Sequence, residues 1–319
     1  MRVSVVLATY NGQQYIFEQL ESIKNQTLTP DEVLIFDDCS NDATAFIVEK
    51  YITDNHLNES WKLIVNDISK GCTRNFVDAA LSASGDIIFY CDQDDIWSMF
   101  KIEKMIEGFQ SHNDMLACYC LKNHIDYAGN HVAVKFQFTT NMTVLGEGFK
   151  KVSLVKNVKY NQSPGLCLAF KKELITDLKD LIFEYGLTHD LPIGMLASIN
   201  NGYYVLNSKL VDYRLHSSNV STPHTSLKSR FDKEYQIRGR KSRAQQLVAF
   251  SDHYSDRLSL TNKLLLQKTI NYTNNSVTYL ENDNVMGCLK QLFSFNPMIN
   301  HWIALNNFAC VIANRRSNE

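Results

Sequence analysis

Three carboxylates stand within four residues in the stretch CDQDDIW at 91–97, directly after an all-apolar run. Asp92, Asp94 and Asp95 packed this tightly raise one another's pKa, because each like-charged neighbour within about 4 to 6 Å disfavours ionisation. A hard divalent ion removes that cost. Mg2+ or Mn2+ held by one or two carboxylates, with water and substrate phosphates completing its shell, is the expected arrangement. Three further polar clusters accompany this one: ATYNG at 8–12, FDDCSNDAT at 36–44 and KGCTRNF at 70–76. Asp37 and Asp38 are adjacent carboxylates that repel unless something binds them, whereas Asp42 reads as the cap of a helix beginning at Ala43. A glycine followed by Arg74 and Asn75 at a helix start suits an anionic or nucleoside ligand.

Strands must deliver these clusters to one place. Short apolar runs predict strands at Val3 to Ala8, Glu32 to Phe36, Lys62 to Val65 and Asp86 to Cys91, each running into a polar cluster. Between them, Tyr15 to Asn25, Ala43 to Asn55 and Thr73 to Ala83 place apolar residues at helical spacing, as in Ile16, Leu20 and Ile23. The alternation predicts an α/β chain, a parallel sheet with helices on both faces, whose ligands sit beyond the carboxyl ends of the strands. After a helix at Phe100 to Gln110 the second half is α+β. Met115 to Leu121, the turn DYAGN at 126–130 and the alternating Val132 to Phe138 predict an antiparallel hairpin. Leu166 to Phe170 is apolar, helices follow from Lys172 and after Asp190, and Tyr203 to Leu215 reads as one or two strands. From Leu227 onward the pattern is helical, with basic and polar faces at Lys228, Arg230, Arg238, Arg240, Lys241 and Arg243.

Composition bounds the possibilities. The 319 residues are 45% hydrophobic and 21% charged with 13 Gly and 5 Pro, which excludes disordered and low-complexity chains. Thirty-two basic against 34 acidic side chains leave no field to draw in nucleic acid. The eight cysteines are scattered without zinc or redox spacing and read as reduced, mostly buried thiols of a cytosolic protein. The N-terminal apolar run is short and ends at a polar turn, so it reads as a buried strand rather than a signal peptide. No stretch reaches the roughly 18 apolar residues of a membrane span. The expectation is a soluble cytoplasmic protein, held at most on the inner face of a membrane.

The set TYNG, DDxSxDxT, a Gly-x-x-Arg-Asn segment and DQDDIW, in this order and spacing, resembles the family 2 glycosyltransferases of the GT-A fold. Each motif alone is weak; their combination over the first hundred residues is specific. The DQDD variant is most similar to bacterial enzymes that build rhamnose-containing or other cell-surface polysaccharides, O-antigen and capsule among them. The resemblance implies that Thr9, Tyr10 and Asn11 line a nucleoside pocket and that Asp38 accepts from N3 of uracil or thymine. It implies that Arg74 and Asn75 reach the base or diphosphate and that Asp92, with Gln93 beside it, meets the ribose or a metal-bound water. Asp94 would be the direct Mn2+ or Mg2+ ligand, and Asp95 would contact the donor sugar.

Downstream, NQSPGLCLAFKKEL at 161–174 resembles a segment beside the acceptor. LTHDLPIGMLAS at 187–198 resembles the segment whose Asp is the catalytic base, here Asp190, although Leu191 and Pro192 replace two aromatics. Read from its surroundings alone, Asp190 is an N-cap, and one residue serves both roles. VDYRLHSSNVS at 211–221 resembles a Tyr-Arg-x-His segment whose His, here His216, completes the metal shell or touches the diphosphate. The implied activity is inverting, metal-dependent transfer from a UDP- or dTDP-sugar to a cell-surface polysaccharide or lipid-linked saccharide. A sugar nucleotidyltransferase and a silent nucleotide-sugar scaffold are the rival readings; no G-x-G-x-x-G follows a strand, which disfavours a dehydrogenase. The expected division is a GT-A domain over 1–222, split at 98/99 into donor and acceptor halves, and a helical region over 223–319. The basic helices at Arg230 to Arg243 and the apolar Leu292, Phe293, Phe295, Trp302, Ile303, Leu305 and Phe308 read as core and solvated face, as a homodimer interface, or as a membrane-docking face.

Overall fold

The structure, a computed structural model, describes residues 1–133, 146–160, 164–216, 232–293 and 301–318. They fall into two compact units, the first of residues 1–133, 146–153 and 164–216 and the second of the remainder. The 222/223 boundary expected from the sequence lies outside the described residues.

The first unit is built on one sheet. Strands β1 (Val3–Thr9), β2 (Glu32–Asp37), β3 (Trp61–Val65) and β4 (Ile87–Asp92) are parallel in the order β3-β2-β1-β4. The apolar runs of β1, β2 and β4, such as Val5, Val6 and Leu7, are buried because helices cover both faces, while the edge strand β3 is partly exposed at Val65. The crossovers are α1 (Ile16–Lys24), α2 (Thr44–Asp54) and α3 (Cys72–Ser82). On α1 the buried Ile16, Gln19, Leu20 and Ile23 recur at one helical face, the spacing that seats it on the sheet. All four strands end within a residue of the expected positions. The registers Thr9↔Asp37, Asp37↔Val65 and Ala8↔Asp92 then align their carboxyl ends on one edge.

Beyond β4 the sheet continues β8-β6-β9-β5, from β5 (Ile96–Trp97), β6 (Ala117–Ile125), β8 (Leu168–Lys171) and β9 (Tyr203–Arg214), with β7 (Phe149–Lys151) beside β9. Of the hairpin expected of Met115 to Leu121 with Val132 to Phe138, the described residues show an antiparallel Ile125↔His131 bridge across the DYAGN turn, with the Val132 amide donating to the His124 carbonyl. β6 itself lies antiparallel to β8 and parallel to β9. Residues 134–138 lie outside the described residues. α4 (Lys101–Ser111), α6 (Lys172–Tyr185) and α7 (Leu191–Ile199) cover this half. Residues Leu191 to Ser198 of α7 are all buried, which explains a segment apolar on every side.

The second unit is helical: α5 (Leu154–Tyr160), α8 (Lys233–His253), α9 (Leu260–Glu281), α10 (Val285–Leu292) and α11 (His301–Asn318). Side chains of Asp232, Ser259 and Asn284 cap α8, α9 and α10. Leu280, Cys288, Cys310 and Val311 form its core, with Ile237 and Phe308 against them. The basic face expected of α8 is largely consumed inside the unit. Arg240 donates to the Gln236 carbonyl and amide oxygens, Arg243 donates to the Val158 carbonyl, and burial lowers both guanidinium pKa values to about 10. Lys233 and Lys241 pair with Asp283 and Glu281. Of the apolar segment, Phe293 is exposed and Leu305 partly so, while Phe295 and the Trp302 side chain, like Lys228 and Arg230, lie outside the described residues. No helix among the described residues is long and apolar enough to cross a membrane.

Candidate active site

Asp37 and Asp38 meet no common ligand, because adjacent strand residues point to opposite faces. Asp37 Oδ1 accepts from Thr9 Oγ1 at 2.7 Å and Ser40 Oγ at 2.6 Å, and its Oδ2 accepts from the Ser40 amide at 2.8 Å. Thr9 is therefore a buried tie between β1 and β2 rather than a pocket wall. Asp38 turns the other way. Its Oδ1 accepts from Asn66 Nδ2 (3.0 Å) and the Lys70 amide (2.7 Å), and its Oδ2 from Ser69 Oγ and the Gly71 amide (2.8 Å each). Burial alone would raise its pKa, but these four donors outweigh it and hold the carboxyl below the usual carboxylate range. Asp38 thus spends its acceptor capacity on the 66–71 loop, and a pyrimidine N3 would have to displace one of these donors. Asn75, expected near the ligand, is buried behind it, accepting from Asn66 and donating to the Phe36 carbonyl. Asn66 completes this network and was missed, since a single Asn after a strand carries no motif.

The network has a thermodynamic consequence. Because the folded-state pKa of Asp38 is depressed, its stabilisation is present at neutral pH and is lost as pH falls through that pKa. Asp38→Asn turns an NH2 group toward one pair of donors and is expected to cost about 2 kcal/mol at pH 7. Thermal melts should show the gap to wild type closing below about pH 4, the range in which Asp38 protonates in the unfolded chain. An equal gap at pH 3 and pH 7 would contradict the assignment.

Asp42 accepts from the Thr44 amide and hydroxyl and the Gln13 amide, but the helix starts at Thr44 with Ala43 as its cap, one residue later than expected. Beyond β1, Tyr10 is half exposed and Asn11 takes a positive φ of 49°, which Asn tolerates better than most residues. Gln93 holds this loop, accepting from the Tyr10 amide at 2.8 Å and donating to the Tyr10 carbonyl at 3.0 Å. A Cβ on Gly12 would stand 2.2 Å from Gln93 Oε1. Since that atom ends a flexible side chain, Gly12→Ala should leave the melting temperature nearly unchanged while releasing two hydrogen bonds on Tyr10. Calorimetry should then read about tenfold weaker UDP binding, the worth of roughly 1 kcal/mol or more. Unchanged UDP affinity would remove Tyr10 from the nucleoside site.

Arg74 lies on the outside of α3, paired with Asp78 at 2.9 Å and stacked over the Phe183 ring at 3.8 Å. Asp95, expected at the donor sugar, is fully buried. Its Oδ1 accepts from the Arg214 amide at 3.1 Å, and burial followed by the charges of Asp92 and Asp94 pushes its pKa well up. Asp94 is its opposite neighbour and turns outward to His216, whose Nε2 lies 2.8 Å from Asp94 Oδ2. The two residues expected to share a metal are thus in contact, although 122 positions separate them.

Asp190 serves as the N-cap of α7, Oδ1 accepting from the Leu191 amide at 2.7 Å while Oδ2 accepts from the Gly165 amide at 3.1 Å. Leu191 and Pro192, which stand where aromatics were expected, are buried in the core and offer no stacking surface. Two groups feel the charge of these carboxylates. Asp92 is pushed up to about 7 by burial, then by the charges of Asp94 and Asp190, with Lys122 and Lys101 offsetting only part. The Cys72 thiol, at the start of α3, is pushed up to about 12 by its surroundings and then by Asp92, Asp190, Asp38 and Asp94 together.

Among the described residues no group of three or more His, Cys, Asp or Glu is arranged to hold an ion unaided. The donors present nevertheless fit a dication: a carboxylate and an imidazole in contact, with a second carboxylate, Asp92, two residues away at the end of β4.

A parallel sheet with carboxylates at its carboxyl ends, extended by a mixed half carrying an acid at a helix start, is the GT-A fold of glycosyltransferases. Residues 4–160 match the model of Glycosyl transferase family 2 and make up a domain of that family. It is 26% identical over 226 residues to UDP-Glc:alpha-D-GlcNAc-diphosphoundecaprenol beta-1,3-glucosyltransferase WfgD of Escherichia coli, covering 69% of this chain and 79% of that protein. It is 25% identical over 274 residues to the dTDP-rhamnosyl transferase RfbG of Shigella flexneri, covering 81% and 88%. The structure of Staphylococcus aureus TarS 1-349 with UDP-GlcNAc superposes with a TM-score of 0.59 at 22% identity, covering 100% of this chain and 93% of that one. Over the full length of TarS, a poly(ribitol-phosphate) beta-N-acetylglucosaminyltransferase, the sequence match spans 16%, so the share of each relative that is covered varies widely.

Proposed function

We propose that this chain transfers a glycosyl group, with inversion, from a pyrimidine nucleoside diphosphate sugar to a hydroxyl of a saccharide or lipid-linked saccharide destined for the cell surface. The observation that carries the reading is the placement of Asp38, Asp92 and Asp94 at or just past the aligned carboxyl ends of the parallel strands, with His216 Nε2 2.8 Å from Asp94 Oδ2. WfgD and RfbG, whose names specify UDP-glucose and dTDP-rhamnose, support a pyrimidine donor; the sugar itself stays open between hexoses and deoxyhexoses. The match over 4–160 and the first unit's end at His216 support a catalytic domain over 1–222 with a helical extension after it. Use of a nucleotide-sugar donor supports a reaction on the cytoplasmic side.

Each residue then has a task. Tyr10 and Asn11 face the nucleoside, and Asp38 fixes the 66–71 loop beside it. Asp94 and His216, supported by Asp92, would hold Mn2+ or Mg2+; when bound, the ion neutralises charge developing on the leaving diphosphate. Asp190 takes the acceptor proton, its carboxylate fixed by the Leu191 and Gly165 amides. Thermal-shift screening of nucleotide sugars with Mn2+, followed by an assay for released nucleoside diphosphate, tests the reading. A UDP- or dTDP-sugar should raise the midpoint and turn over with an acceptor; a panel without any shift would overturn it.

A further inference from the structure

Arg214 has no part in the chemistry above, yet it is one of the largest fully buried side chains of the molecule. Its Nε donates to the Asp94 carbonyl at 2.9 Å, and its backbone amide donates to Asp95 Oδ1 at 3.1 Å. Nη1 donates to the carbonyls of Tyr127 (3.2 Å) and Asp126 (3.5 Å), and Nη2 to Glu18 Oε2 at 2.5 Å. The DYAGN turn, folded on Asp126 through the Ala128 and Asn130 amides, thus presents its carbonyls to a guanidinium. Tyr15, almost fully buried, lies between Arg214 and His216, with its ring 4.7 Å from the guanidinium and 4.9 Å from the imidazole.

These contacts close a ring. Arg214 Nε binds the Asp94 carbonyl, and two residues later His216 Nε2 reaches Asp94 Oδ2. The main chain from 214 to 216 and the Asp94 residue complete the circuit, so the position of the guanidinium sets the reach of the imidazole. We propose that Arg214, clamped by Glu18 and Tyr15 of the α1 end, is a positioning residue that presets Asp94 and His216 for a shared ligand. An amine cannot replace it, since only the planar fork donates along Nε, Nη1 and Nη2 at once. The inference rests on the metal–diphosphate reading of the site, and its test separates the two.

Crystal structures of metal-free wild type and Arg214→Lys should show Asp94 and His216 in contact in the first and parted in the second. Mn2+ titrated calorimetrically in the presence of UDP should bind Arg214→Lys about tenfold or more weakly, the usual effect of losing a residue that orients a ligand. Raised Mn2+ should restore activity, which a general loss of packing would not permit. Glu18 is half exposed, so Glu18→Ala keeps the fold if Arg214→Lys does not, and it should weaken Mn2+ uptake by a smaller factor. A folded Arg214→Lys that keeps the Asp94–His216 contact and wild-type affinity overturns the proposal, as does unchanged affinity in Glu18→Ala where the lysine variant does not fold. Wild type that takes up no Mn2+ with UDP overturns the metal reading instead, and the metal-free structures still decide what Arg214 does.

Discussion

Asp190→Asn should lose transfer by about 10² to 10⁴ in kcat, the usual worth of a positioned general base, while Mn2+-dependent UDP binding stays near the wild-type value. The substitution suits this site because Asp190 has two separable duties. As the cap of α7 it accepts from the Leu191 amide at 2.7 Å, and Asn caps a helix about as well as Asp. As a base it must carry a negative charge, which Asn cannot. The contact from the Gly165 amide to Oδ2 is the part of the fold that the change disturbs, at a cost of about 1 kcal/mol. A melt close to wild type together with collapsed turnover assigns the charge to catalysis; wild-type turnover would leave Asp190 a cap alone. Asp190→Ala removes both duties and should lower the melting temperature as well.

The first four strands are legible because their cause is local: uninterrupted apolar runs that end in polar clusters. The rest of the sheet is not, since β6, β8, β9 and β5 find their order through pairings between distant segments. β9 alone meets β5, β6 and β7, and nothing in its sequence names those partners. The site divides in the same way. Motif spacing and the resemblance point to Asp92, Asp94, Asp190 and His216, but they do not say which way a side chain points. Asp37 and Asp38 diverge, Asp94 and Asp95 diverge, and Asn75 turns inward, so residues with ligand-binding precedent become the supports of their neighbours. Glu18 and Arg214 escape notice because their partners are remote in sequence; the Arg214–Glu18 bond spans 196 positions.

Asp94→Ala should abolish Mn2+-dependent binding of UDP, by about a hundredfold or more, an affinity change of roughly 2.7 kcal/mol. The magnitude follows from where Asp94 sits. It lies in the turn between β4 and β5, its carbonyl held by Arg214 and its carboxylate by His216, so removing it takes away one donor and leaves the other without its partner. His216→Ala should cost less, since Asp94 keeps its charge and its main-chain anchor. Calorimetry with Mn2+ and UDP measures both, and melts without metal check that the fold survives. Undiminished Mn2+-dependent UDP binding by Asp94→Ala would mean that the acidic cluster at 92–95 does not hold the diphosphate, and the donor would have to be sought through the cations of this unit instead.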